Sequence, residues 1–128
     1  MKVLIVDDHS SMRQLIRSMV ADVAESVTEC ADGSEAVAAY TSQQFTRNDL
    51  VLMDLEMPRV DGLSATRHLR TSFPDARIII LTQFGDPHLR SAATQAGASG
   101  YVLKENLLEL RKLISNFKDN FSDPTRLS

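Results

Sequence analysis

The run Leu50-Val51-Leu52-Met53 stops abruptly at a carboxylate, Asp54, and a loop punctuated by Pro58 and Gly62 follows. The same pattern occurs at Val3-Leu4-Ile5-Val6, which ends in Asp7-Asp8, and at Ile78-Ile79-Ile80-Leu81, which ends in Thr82. Uninterrupted apolar runs of this length suit strands covered on both faces, and helical patterns separate them. Five strand-helix units with neither repeat nor hairpin signal predict a doubly wound parallel sheet between helices, because parallel neighbours need crossover connections. The polar residues that end the runs then stand at the carboxyl edge of the sheet, where open α/β sheets bind ligands.

In chain order, Val3–Val6 reads as a central strand. Met12, Leu15, Ile16, Met19 and Val20 recur at helical spacing from Ser10 to about Ala21, with Ser10 or Ser11 as N-cap. Ser26 to Cys30 alternates rather than runs, which suits an edge strand. Asp32-Gly33-Ser34-Glu35 supplies a turn and a capping pattern for a second helix to about Gln44. A third strand spans Asp49 to Asp54, and a short helix beginning near Leu63 stops before Pro74. The fourth strand is Arg77–Leu81. Asp86-Pro87 caps and opens the fourth helix, which runs to Ala96, and Gly97 takes a left-handed turn. Gly100–Leu103 is the fifth strand, ending at Lys104. Asn106 precedes a last helix carrying Leu107, Leu110, Ile114 and Phe117, and apolar periodicity is lost beyond about Lys118. The expected division is one domain over 1–118 and a tail or linker start over 119–128.

With 128 residues, 43% hydrophobic and 24% charged, the composition is that of an ordinary globular domain. A net charge of -3 argues against a nucleic-acid-binding surface, which needs a basic face. Cys30 is the only cysteine, two aspartates interrupt the amino-terminal apolar run too early for a signal peptide, and no stretch has the length of a membrane span. The expected location is cytoplasmic, with no membrane contact.

Asp7, Asp8, Asp54, Thr82 and Lys104 all fall at carboxyl ends of strands. Three carboxylates gathered there require a counter-charge. Magnesium, which takes one or two carboxylates plus water and phosphate oxygens, would leave Asp54 free to act as a nucleophile toward phosphorus. Lys104 and Thr82 would complement the transferred group, giving an aspartyl phosphate.

These residues bear a resemblance. The acidic pair Asp7-Asp8, the segment Asp54-x-x-Met57-Pro58-x-x-Asp61-Gly62, Leu81-Thr82 and Tyr101-Val102-Leu103-Lys104 resemble the receiver domain of bacterial two-component response regulators over about residues 1 to 118. The resemblance implies a flavodoxin-like fold with strand order 2-1-3-4-5. It implies a phosphorylation-activated signalling switch, not a turnover enzyme, in which Asp54 accepts a phosphoryl group from a sensor histidine kinase or phosphotransfer protein. It also implies a Mg2+ site with Asp8 as direct ligand, Asp7 acting mainly through water, and Glu56 offering its backbone carbonyl beside Asp54. Thr82 and Tyr101 match the pair that reports phosphorylation to the surface around the fourth helix and fifth strand, where a phosphorylation-dependent homodimer is one outcome.

His9 and the segment Ala96–Lys104 are similar to receivers that precede a LuxR-type helix-turn-helix domain. Only about ten residues follow the last helix here, so the chain reads as a single-domain regulator or the receiver part of a longer one, without direct nucleic-acid contact of its own.

Two other readings compete. A phosphohydrolase with an Asp nucleophile, of the haloacid-dehalogenase-like pattern, wants Asp-x-Asp after the first strand, where this chain has Asp7-Asp8-His9. A flavodoxin-like mononucleotide binder wants a Ser/Thr/Gly-rich phosphate loop there. No spacing gathers His9, His68 and His88 as metal ligands, so all three read as surface or packing residues. Cys30 reads as an inert core residue.

Overall fold

The computed structural model describes the backbone over residues 1–122 and side chains over 1–117. Five parallel strands, β1 (Lys2–Val6), β2 (Ser26–Cys30), β3 (Leu50–Met53), β4 (Ile78–Thr82) and β5 (Gly100–Leu103), form one sheet in the order β2-β1-β3-β4-β5. The helices are α1 (Ser10–Val20), α2 (Ala36–Ser42), α3 (Gly62–Ser72), α4 (Pro87–Ala96) and α5 (Leu107–Ser122), with a 3-10 turn over Gly33–Glu35 leading into α2. The fold is the doubly wound one the apolar runs predict, and β2, the alternating strand, lies at an edge.

The two faces of the sheet read directly from strand alternation. Leu4, Val6, Val51, Met53, Ile78 and Ile80 pack with Ala36 and Tyr40 of α2, Ala65 and Leu69 of α3, and Ala93 of α4. Val3, Ile5, Leu50, Leu52, Ile79 and Leu81 point the other way, onto Ile16 and Val20 of α1 and Leu110 and Ile114 of α5. Val3–Val6 of β1 and every residue of β3 and β4 are therefore buried, which explains why these runs are uninterrupted in apolar character. Each such aliphatic side chain contributes roughly 1.5–3 kcal/mol relative to exposure. Among the described residues no helix is long and apolar enough to cross a membrane.

Helix ends show where local rules are outweighed. Asp86 caps α4 by accepting from His88 N at 2.7 Å, Pro87 opens the helix, and Gly97 closes it with φ 104°. Helix α1 instead starts behind His9, which is extended and makes no side-chain cap, while both serines fall inside the helix. The cause is Asp7, whose Oδ1 accepts His9 N at 2.8 Å and fixes the backbone there. Helix α2 ends at Ser42, two residues short of Gln44, because Gln44 itself adopts a left-handed φ of 57°. Helix α5 continues to Ser122, past the expected boundary at 118. Extending an existing helix adds a hydrogen bond for each residue fixed and needs no apolar face, and the first proline comes only at 124. Residues 123–128 of the expected tail lie outside the described residues.

Candidate functional site

Strand register brings the polar ends together. Val6 pairs with Met53 in adjacent strands β1 and β3, so Asp7 and Asp54, each one residue further, emerge side by side. Asp54 N donates to Val6 O at 2.9 Å and Asp7 N to Cys30 O at 3.0 Å, which continues the ladder one step and fixes both backbones. Lys104 follows β5, two strands away from β3 across β4, a gap of roughly 10 Å that takes a long side chain to span. Its Nζ lies 2.8 Å from Asp7 Oδ2 and 3.1 Å from Asp54 Oδ1.

The electrostatics follow from that packing. Asp54 is 5% exposed, and burial together with the neighbouring Asp7 pushes its carboxyl up to about 6 against the opposing pull of Lys104. Burial alone would lower Lys104, but Asp7 and Asp54 outweigh it and hold the ammonium above its usual value. Three carboxyl groups, those of Asp7, Asp8 and Asp54, thus face one ammonium group. Asp8 Oδ1 is buried and accepts no hydrogen bond. Ligand atoms of Asp7, Asp8, His9 and Asp54 lie within 4.8 Å of one another. An orphaned carboxylate oxygen beside two more carboxylates suits a hard divalent cation, so the residues present fit Mg2+.

A cleft of about 260 Å³ opens onto this group, lined among others by His9, Met12, Asp54, Glu56, Phe84 and Lys104. Thr82 ends β4 and is fully buried, and its backbone oxygen accepts Lys104 N at 2.7 Å. Its hydroxyl oxygen accepts Phe84 N at 3.2 Å, while Tyr101 Oη donates to Phe84 O at 2.6 Å. Thr82 and Tyr101 are therefore tied to the two ends of one residue. The Tyr101 ring also faces the Arg90 guanidinium at 4.6 Å.

Three features of the site are not predicted by the sequence analysis. His9 is a surface residue, as expected, with its side chain 68% exposed, but its Nδ1 also lies 3.1 Å from Asp8 Oδ1 and 3.4 Å from Asp7 Oδ1. The signal is adjacency to the acidic pair, which spacing among the three histidines does not capture. Asp32 is buried and accepts Ser34 N at 2.7 Å, Arg59 N at 3.2 Å and Arg59 Nε at 3.2 Å, so it pins the loop that follows Asp54. The Ser34 amide first, and the Arg59 groups after it, hold its carboxyl well below the usual carboxylate range. Asp61 caps α3, accepting Ser64 N at 2.8 Å, at a helix start for which the sequence analysis predicts no cap.

The chain matches the response regulator receiver domain family over residues 3–115 and belongs to that family. It is 43% identical over 107 residues to the uncharacterized transcriptional regulatory protein YhcZ of Bacillus subtilis, a match covering 82% of this chain and 49% of that protein. It is 38% identical over 103 residues to the chemotaxis protein CheY of Halobacterium salinarum, covering 80% of this chain and 83% of that one. Among solved structures it is similar to the response regulator TrrA of Thermotoga maritima in complex with Mg(2+)-BeF, with TM-score 0.79, 32% identity, and coverage of 91% of this chain and 99% of the other. The chain spans about half the length of several curated relatives it matches. The family comprises signalling switches of two-component systems and binds Mg2+ at an acidic pocket, and the cluster of Asp7, Asp8 and Asp54 stands where the strand ends put it.

Proposed function

We propose that this chain is a phosphorylation-activated switch in which Asp54 takes a phosphoryl group from a sensor histidine kinase or phosphotransfer protein in the cytoplasm. What carries the reading is Lys104 Nζ held between Asp7 and Asp54, at 2.8 and 3.1 Å, beside an unpartnered oxygen of Asp8. An Asp54 oxygen attacks phosphorus in line, the P–N bond of the donor phosphohistidine breaks, and its electron pair returns to the imidazole. Lys104 moves its hydrogen bond from Asp54 to a phosphoryl oxygen. Thr82 turns its hydroxyl from the Phe84 amide to another. Asp7, Asp8, an Asp54 oxygen and the Glu56 backbone carbonyl would hold Mg2+, which when bound neutralises charge on the transferred group. The protein catalyses its own phosphorylation and dephosphorylation without turning over a substrate. Similarity to longer transcriptional regulators supports a place ahead of an output module or partner, with a phosphorylation-dependent homodimer as one output and no nucleic-acid contact from this chain itself.

Acetyl phosphate with Mg2+ is expected to add one phosphoryl group per chain by intact mass, and Asp54→Asn is expected to add none. Repeated release of phosphate from many esters per chain, with no labelled protein, would favour the phosphohydrolase reading instead.

Withdrawing the Thr82 hydroxyl frees Phe84 N, and Phe84 O is where Tyr101 is tethered. Beryllofluoride with Mg2+ is expected to shift NMR signals of α4 and β5 in the parent, and Thr82→Ala to confine the shifts to the pocket. Equal shifts in both proteins would remove Thr82 from the coupling.

A further inference from the structure

The hydrogen bonds around Phe84 extend outward by one more link. Thr82 Oγ1 accepts Phe84 N at 3.2 Å, Phe84 O accepts Tyr101 Oη at 2.6 Å, and the Arg90 guanidinium lies over the Tyr101 ring at 4.6 Å. Thr82 is buried, Tyr101 half-buried, and Arg90, on α4, exposed. A continuous set of contacts thus runs from the carboxyl edge of the sheet to the outer surface, and Arg90 ends it. The carboxylate nearest along the chain does not compete for its charge. Asp86, four residues earlier, is committed to the head of α4, where its Oδ1 accepts His88 N at 2.7 Å, and among the described residues Arg90 makes no ion pair. Its guanidinium plane is left to the ring, a stack that suits arginine better than lysine.

Tyr101 is therefore held twice, at its hydroxyl by Phe84 and at its ring face by Arg90. Drawing the Thr82 hydroxyl onto a phosphoryl group removes one of the two ties on residue 84 and leaves the one to Tyr101. Movement of Phe84 then either breaks that bond or pulls the ring from beneath the guanidinium. Arg90 opposes the second course, and it does so from a helix that does not carry Tyr101.

We propose that Arg90 is a positioning residue that holds Tyr101 against Phe84 and so sets the threshold of the switch, opposing the phosphorylated state by the strength of its contact with the ring. The role of Arg90 rests on the reading of Thr82 and Tyr101 as the pair that reports phosphorylation.

Beryllofluoride titrations at saturating Mg2+, followed by NMR, read that threshold as an apparent affinity, because an analogue that favours one state binds more tightly when the competing state loses stability. Arg90→Gln is expected to raise the affinity roughly two- to fivefold, the scale of an exposed guanidinium–ring contact, and Arg90→Lys to raise it less. Mg2+ affinity without beryllofluoride is expected to be the same in all three proteins. In a Tyr101→Leu background Arg90→Gln is expected to change nothing further, which locates its effect in the ring. Unchanged or lowered beryllofluoride affinity in Arg90→Gln, with α4 and β5 of the parent still shifting, would overturn the role of Arg90 and leave the switch standing. An equal gain with and without the Tyr101 ring would overturn it too. Shifts confined to the pocket in the parent would overturn the switch reading, and the role of Arg90 with it.

Discussion

In the presence of a chelator, the Asp54→Asn protein is expected to be more stable than the parent at pH 7, by on the order of 2–3 kcal/mol. Asp54 is buried beside Asp7, and its carboxyl is raised from 3.8 to about 6 in the folded chain. Below the unfolded value the group is protonated in both states and favours neither. Between about 4 and 6 the unfolded chain gives up the proton while the folded chain keeps it, so stability falls as pH rises through that window. Above it the penalty is constant, and the width of the window, at ~1.4 kcal/mol per pH unit, sets its size. The amide introduced by Asp54→Asn carries no charge and keeps an oxygen for Lys104, so the penalty vanishes. Denaturant titrations of both proteins at about pH 4, 5, 6 and 7 in chelator check this: the gap should open between about pH 4 and 6 and then hold. Added Mg2+ should narrow it by stabilising the parent. Curves that run parallel across the whole range would contradict the electrostatic account of the site.

Gly62→Ala is expected to cost about 3 kcal/mol or more and to lower the melting temperature by roughly 10 °C. A Cβ at this position would overlap the Asp54 carbonyl oxygen and lie 2.8 Å from both Asp54 C and Leu55 Cα. All three are backbone atoms of the segment that presents Asp54, so no side chain can swing aside. Gly62 N also donates to Leu55 O at 2.9 Å, and the Asp61 cap sits immediately before it, so α3 cannot shift outward without losing both. The glycine is therefore required by close approach, not by an unusual φ. Gly85→Ala is the control, since a Cβ there meets only the ends of Leu103 at 3.6 and 3.7 Å, ordinary van der Waals contact. Thermal unfolding of the two variants should separate them clearly; a Gly62→Ala protein within about 1 kcal/mol of the parent would show that α3 docks more loosely on β3 than its geometry requires.

Strand ends are the legible part of this chain. Asp7, Asp54, Thr82 and Lys104 each follow an apolar run, and once the sheet is parallel their convergence is a consequence of topology. Asp86, Pro87 and Gly97 are legible because each acts on the residues next to it. Contacts made between loops are not. Asp32 and Arg59 are 27 residues apart, and nothing local to either says that the β2-α2 turn buttresses the loop after Asp54. The start of α1 departs from its expected cap for a related reason: serine is the better cap in isolation, but Asp7 claims the His9 amide first. The end of α5 lies beyond its expected boundary because loss of an apolar stripe says where burial stops, not where a helix does.

Phosphorylation of the Asp54 carboxylate is tested most directly by reductive trapping. The chain is labelled with acetyl phosphate and Mg2+, treated with borohydride, which reduces an acyl phosphate to the alcohol, and mapped by peptide mass spectrometry. Homoserine at position 54, present only when Mg2+ was supplied, is the predicted result. Conversion at Asp7 or Asp8 instead, or label residing on His9 with position 54 untouched, would contradict it.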